Sequence, residues 1–319
     1  MLDKHKTQVR LESNQQGDFM ELRVLKYFMA VAREGSITAA ANILHVTQPT
    51  LSRQLMDLEY ELGHKLFQRG SHSISLTPEG ILLKKRAEEI LDMVERTQAE
   101  FSRQGTEVSG DVYIGGGETC AMGQIASIVR DLRETNPNIC YHLFSGNADD
   151  VTEKLDRGLL DFGLLIQPAD LSKYDYLTLP YKDTWGLLMR SDNPLSVKRR
   201  IQKKDLFNQA LLVSRQVANK SHSRNDLVEW LGEDLSKFKI AASYNLIYNA
   251  AIMVKEGVGC ALTLDKLADT SPTSNLCFRP LMPKVEAELN IVWKKDRYFS
   301  EAAKIFLGEL KRRFENNGS

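Results

Sequence analysis

The segment SITAAANILHVTQPTLSRQLMDLEYELG, residues 36–63, limits what this chain can fold into more than any other stretch. Two short helical patterns stand there only a few residues apart. Ser36 is placed to cap the first, which is rich in alanine (Ala39, Ala40, Ala41) and ends near Leu44, so another helix can approach it closely. After a three-residue turn, Thr47 is placed to cap the second, and Pro49 falls in its first turn, where a missing N–H costs nothing. At about 100° per residue, Leu51, Leu55, Leu58 and Leu62 occupy one narrow arc, which faces a core. Gln48, Pro49, Ser52, Arg53 and Met56 occupy the adjoining arc, a surface whose polar members suit phosphates and base edges. This is the pattern of a helix-turn-helix whose second helix enters a major groove by its N-terminal end.

An ordinary helical hairpin with a solvated face would share that spacing, and the flanking sequence separates the two readings. Upstream, Leu22, Leu25, Phe28, Met29 and Ala32 recur at helical spacing and stop at Gly35, a helix terminator. Downstream, HKLFQRGSHSISLTPEG reads as a strand, a tight turn at residues 70–73 and a return strand ending at Leu76. That hairpin makes a wing from which Arg69 and His72 can reach phosphates.

GSITAAANILHVTQPTLSRQLMDLEYELGHKLFQR followed by SLTPEG resembles the winged helix-turn-helix of the LysR-type transcriptional regulators. In that family an AA pair, a TQP(x)xSRQ segment, an LExxLGxxLF segment and an LTxxG segment recur in this order. The resemblance covers residues 20–80 most specifically, and the rest of the chain also fits. It implies that the positions matching Gln48, Pro49, Ser52 and Arg53 contact operator DNA, with Thr47 and Thr50 beside them in the same turn. The wing departs from the family in carrying Ser71, His72 and Ser73 where arginine is commoner.

Pro78, Glu79 and Gly80 open a long helical pattern with Leu83, Ala87, Ile90, Leu91, Val94 and Phe101 on a narrow apolar stripe. Such a stripe asks for a partner, and operators read by paired helices need a two-fold dimer, so residues 79–108 form the expected dimerisation helix. The resemblance further implies a tetramer.

From Asp111 onward, strand and helix patterns alternate, as in a doubly wound α/β fold. VYIGG, ICYHLF and DFGLLI read as strands, and TCAMGQIASIVRDLRE and DDVTEKLDRG as helices. A second unit runs from TWGLLMR through CFRPL, and LNIVWKK with the last helix returns to the first. The expected organisation is a disordered extension at 1–19, a winged helix-turn-helix at 20–78, a linker helix at 79–108, one effector lobe from 109–181 and 286–319, and a second from 182–285. Such lobes resemble the periplasmic-binding-protein fold of the family's effector domain.

In open α/β sheets, ligands settle at the carboxyl ends of strands. Those ends carry Gly117, Glu118 and Thr119, then Ser145, Gly146 and Asn147, then Gln167, and in the second lobe Ser214 and Arg215. The candidate effector residues are therefore Thr119, Asn147, Gln167, Ser214 and Arg215, the family resemblance pointing to Thr119, Asn147 and Ser214 in particular. Thr119 and Asn147 also suit helix caps, and Ser214 a buried turn. Glu118 either turns to solvent or meets a positive or neutral effector group, with Arg215 holding an anionic end.

Composition narrows the function class. Acidic and basic residues balance at 42 each, so a basic surface must be local. The four cysteines form no CxxC pair and read as buried free thiols, and the six histidines show no HxH or HExxH spacing, so no metal or cofactor is expected. The GGG run lacks the lysine of a phosphate loop. A Cys120 thiolate enzyme has no histidine nearby in sequence to act as base, and a pure solute-binding protein does not explain the helix-turn-helix. The expected protein is a cytoplasmic DNA-binding regulator, not an enzyme and not membrane-bound, whose partners are double-stranded DNA, a small polar metabolite acting as co-inducer, and copies of itself.

Overall fold

The computed structural model describes residues 20–69, 74–102, 108–167, 169–215, 226–232 and 237–315. The chain divides into two compact units, Met1–Phe101 and Ser102–Ser319. The expected extension at 1–19 and the wing turn with His72 lie outside the described residues, and of Arg69 only the backbone is described.

In the first unit, α1 (Leu22–Glu34) ends at Gly35, whose φ of +62° is the left-handed bend that a side chain would strain. Ser36 accepts the Ala39 N–H at the head of α2 (Ile37–Ile43), and Thr47 accepts the Thr50 N–H at the head of α3 (Gln48–Leu62). Phe28, Ala40, Leu51, Leu55 and Leu58 share one core, and the alanines of α2 let the helices meet. The wing pairs β1 (Phe67–Arg69) antiparallel to β2 (Ile74–Leu76), in the register Phe67 to Leu76. The Ile74 N–H donates to the Gly35 carbonyl, which ties the wing to the end of α1.

Glu59 explains why this hairpin starts where it does. Its carboxylate accepts the N–H groups of Leu66 and Phe67, 2.9 and 3.3 Å away, and the Lys65 ammonium at 2.6 Å. Burial pushes the Glu59 carboxyl up, but these donors outweigh it and hold it below its ordinary value. Gly80 is equally constrained. A β-carbon there would stand 2.1 Å from the Leu66 carbonyl oxygen, so only glycine lets α4 (Pro78–Ser102) start against the wing.

Helix α4 corrects one expectation. Leu83 and Ala87 of its stripe are buried in the winged domain's own core, with Ile90 and Leu91 packed against it, so the first part of the stripe needs no second chain. Phe101, further along the stripe, is 85 % exposed, and Leu82 and Met93 are exposed on another side of the helix.

The second unit is a two-lobed α/β body. Its first lobe holds β3 (Gly110–Gly116), α5 (Met122–Thr135), the edge strand β4 (Ile139–Ser145), α6 (Ala148–Asp156) and β5 (Phe162–Ile166). The long strand β6 (Tyr174–Arg190) then passes into the second lobe, with β7 (Ile201–Gln202), β8 (Ala210–Ser214), α7 (Asp226–Leu231), β9 (Lys239–Tyr244), α8 (Ile247–Lys255), β10 (Cys260–Leu264) and β11 (Leu276–Met282). The chain returns through β12 (Glu286–Lys294) to α9 (Glu301–Phe314), which packs on the first lobe with Phe306 and Leu310 in its core.

The strand order β4-β3-β5-β12-β6-β10-β8-β9 makes β6 common to both lobes. Its first half pairs with β12 and its second half with β10 and β11, so the crossing is a continuous antiparallel ribbon. The parallel strands β3, β4 and β5, and likewise β8, β9 and β10, point their carboxyl ends at this junction. Among the described residues, no helix is long and apolar enough to cross a membrane.

Two further expectations are corrected. The helix read from Thr119 begins at Met122, because Thr119 spends its hydroxyl on the Ala121 N–H and on Asp183. Of the cysteines, only Cys260 is buried; Cys120 and Cys140 are exposed and Cys277 is intermediate.

Candidate functional site

Two surfaces carry the candidate residues, one in each unit. On α3 the leucine face is buried, while Thr47, Gln48, Pro49, Thr50 and Arg53 are exposed and Ser52 is half-buried. The cap makes this turn rigid: the Thr47 and Thr50 hydroxyls lie 2.8 Å apart and share a hydrogen bond. Arg53 makes no ion pair among the described residues, so its guanidinium is available for a bidentate contact. The positive end of the α3 dipole favours a phosphate in the same place.

The second surface lies where the lobes meet. The loop after β3 reaches across the junction at three successive residues. Glu118 accepts the Ile247 N–H at the first turn of α8, the Thr119 hydroxyl donates to Asp183 on β6, and the Cys120 thiol donates to the Lys266 carbonyl at 3.6 Å. Glu118 is thus turned to the opposite lobe, where it caps a helix and its negative charge complements the helix dipole. Burial pushes the Asp183 carboxyl up, the Thr119 hydrogen bond opposes this, and the nearby Asp265 charge adds to the rise. Asp265 itself holds the Thr184 N–H at 2.9 Å, so the crossing ribbon is pinned from the second lobe.

The other candidates divide. Asn147 caps α6, its side chain accepting the Asp150 N–H at 3.0 Å while Asp150 returns the bond to the Asn147 N–H at 3.2 Å. Gln167 uses its carbonyl oxygen on the Ala169 N–H at 2.8 Å, but its buried amide nitrogen Nε2 has no partner among the described residues. Ser214 is half-buried at the end of β8, and Arg215 beside it is exposed. Burial and the neighbouring Asp183 charge push the Cys120 thiol up, the opposite of what a thiolate nucleophile needs. What sequence reading missed here is Asp183, whose partnership with Thr119 spans 64 residues.

Each unit matches a described family, the second over nearly its whole length. Residues 22–81 match the bacterial regulatory helix-turn-helix protein, lysR family, and residues 105–315 match the LysR substrate binding domain. The chain belongs to the LysR family of transcriptional regulators. This LysR-type protein is 26 % identical over 302 residues to the HTH-type transcriptional regulator YtlI of Bacillus subtilis, a match covering 93 % of this chain and 95 % of YtlI. It is 26 % identical to the probable RuBisCO transcriptional regulator of Porphyra purpurea, over 91 % of this chain and 92 % of that one. Among solved structures, full-length CbnR in complex with its target DNA superposes with a TM-score of 0.69 at 22 % identity, covering 92 % of this chain and 99 % of that one. The LysR-type regulator is thus a DNA-binding protein with an effector-binding domain, and its family consists of transcription factors, not enzymes.

Proposed function

We propose that this regulator reads a two-fold operator in double-stranded DNA as a homodimer assembled through α4, and changes its grip when a small polar metabolite settles between the effector lobes. Thr47, Gln48, Pro49, Thr50, Ser52 and Arg53 face the major groove, and Arg69 and His72 are the further candidates for phosphate contacts. The observation that supports this reading is the exposed, capped first turn of α3 with Arg53 beside it, which makes no ion pair among the described residues.

The effector site draws on Thr119, Asn147, Gln167, Ser214 and Arg215. Its strongest support is the Gln167 amide, which has no partner among the described residues: a buried donor left so costs about 1–3 kcal/mol, and a ligand oxygen would remove that cost. A ligand engaging Thr119 competes with Asp183 for its hydroxyl, and so couples binding to the contacts that hold the lobes together. A second apolar surface suits assembly beyond the dimer: a groove between α5 and β4 lined by Ile125, Val129, Tyr141 and Leu143. Tetramers are expected on that basis. The protein works in the cytoplasm and needs no cofactor besides the co-inducer.

A thermal-shift screen of the full chain against small polar metabolites tests the effector reading. A ligand present at about 100 times its dissociation constant adds about 2.7 kcal/mol to the state it binds. A hit whose shift disappears in Gln167→Ala supports the site; a hit indifferent to Gln167→Ala and Thr119→Val contradicts it.

A further inference from the structure

The first lobe carries a cluster that neither surface uses. Strands β3 and β4 run parallel, with Asp111 paired to Cys140 and Tyr113 to His142. Because side chains alternate along a strand, Cys140 and His142 lie on one face of β4, and Asp111 lies beside them on the neighbouring strand. The His142 Nε2 stands 2.9 Å from the Asp111 carboxylate, and one oxygen, one sulfur and one nitrogen from the three side chains all lie within 4.8 Å of one another. Cys140 and His142 are exposed and Asp111 is half-buried, so an ion can reach them.

From this we infer a divalent-cation site of zinc's chemical class, held by the Asp111 carboxylate, the Cys140 thiolate and the His142 imidazole. Thiolate, imidazole and carboxylate together select a borderline cation over calcium or magnesium, which prefer oxygen alone. At ordinary zinc–ligand lengths of about 2.0–2.3 Å, tetrahedral ligands stand about 3.3–3.7 Å apart, inside the 4.8 Å limit that the three donor atoms already meet. The Asp111–His142 contact, now 2.9 Å, has to lengthen only slightly to reach that spacing, while the paired backbones of β3 and β4 stay in register. The imidazole is also held in place, stacked on the Tyr113 ring with centroids 4.6 Å apart and planes at 14°. Three protein ligands leave the fourth position to water. The consequence for the fold is a clamp on β4, the edge strand of the lobe, which is otherwise held on one side only.

Cobalt(II) titration of the full-length protein, reduced by a phosphine, tests the site directly. The expected result is one equivalent per chain, with a thiolate-to-cobalt charge-transfer band and the intense visible bands of a four-coordinate ion, both erased by added zinc chloride. Cys140→Ser should remove the charge-transfer band, whereas Cys120→Ser and Cys277→Ser should leave it. Loss of a group that only orients a ligand weakens zinc about 10–100-fold, so His142→Gln, which loses a ligand, should weaken cobalt by at least tenfold, and Asp111→Asn should also weaken it. No band at one equivalent would make the cluster an ion pair only and overturn the inference. A band that survives Cys140→Ser, or an affinity unmoved by His142→Gln, would overturn it as well.

Discussion

Glu59 and Gly80 show how single positions of the winged domain earn their identities. Glu59→Gln keeps the shape but weakens the bonds to Leu66, Phe67 and Lys65, and should cost about 1–2 kcal/mol near neutral pH. The folded Glu59 carboxyl lies below its ordinary value of 4.5, so its contribution is complete above that value and is lost as pH falls through the folded one. Thermal melts against pH should therefore show wild type and Glu59→Gln converging in acid; a gap that stays constant or widens would contradict the role given to the carboxylate. Gly80→Ala should destabilise by about 1–3 kcal/mol, because the new methyl group meets a carbonyl fixed in the wing and not a side chain that can move aside. Denaturant titration checks this. Neither role was legible in sequence beyond the motif itself, since Glu59 acts on residues seven and eight positions away and Gly80 on a carbonyl fourteen positions back.

The elements themselves were far more legible. Caps at Ser36 and Thr47, the stop at Gly35 and the leucine arc of α3 are all local signals, acting within one turn of the residues they organise. The strand and helix alternation of the second unit was equally plain, because periodicity switches from two to 3.6 at each boundary. What escaped were partnerships between elements: Glu118 with α8, 129 residues away, and Asp111 with Cys140 and His142, which only the β3–β4 register brings together. Helix α4 was legible as a helix but not in its packing, since a stripe does not say how much of it its own domain will cover. The covered part is now Leu83 to Leu91, and the dimer reading rests on Phe101 and the exposed Leu82 and Met93. Phe101→Asp should weaken self-association about tenfold or more in sedimentation experiments while leaving the fold intact. An unchanged dimer would move the contact elsewhere.

In the whole protein, the exposed first turn of α3 lies in one unit and the junction between the lobes in the other. At that junction Glu118, Thr119 and Cys120 reach across to α8, to Asp183 on β6 and to Lys266, and in the proposed function an effector competes for these contacts. Glu118→Ala should cost about 1 kcal/mol through the lost helix cap and should alter the affinity of any effector found by screening. The central claim, however, is that the first turn of α3 reads DNA, and it is tested most directly by selecting bound sequences from a random duplex pool with the full-length protein. Affinities of wild type and Arg53→Ala for the selected site and for unrelated DNA would then be compared at several salt concentrations. The prediction is a loss of about 1–3 kcal/mol on the selected site, a smaller loss on unrelated DNA, and relaxed preference at one or two base pairs. Full affinity and unchanged preference in Arg53→Ala would contradict the account.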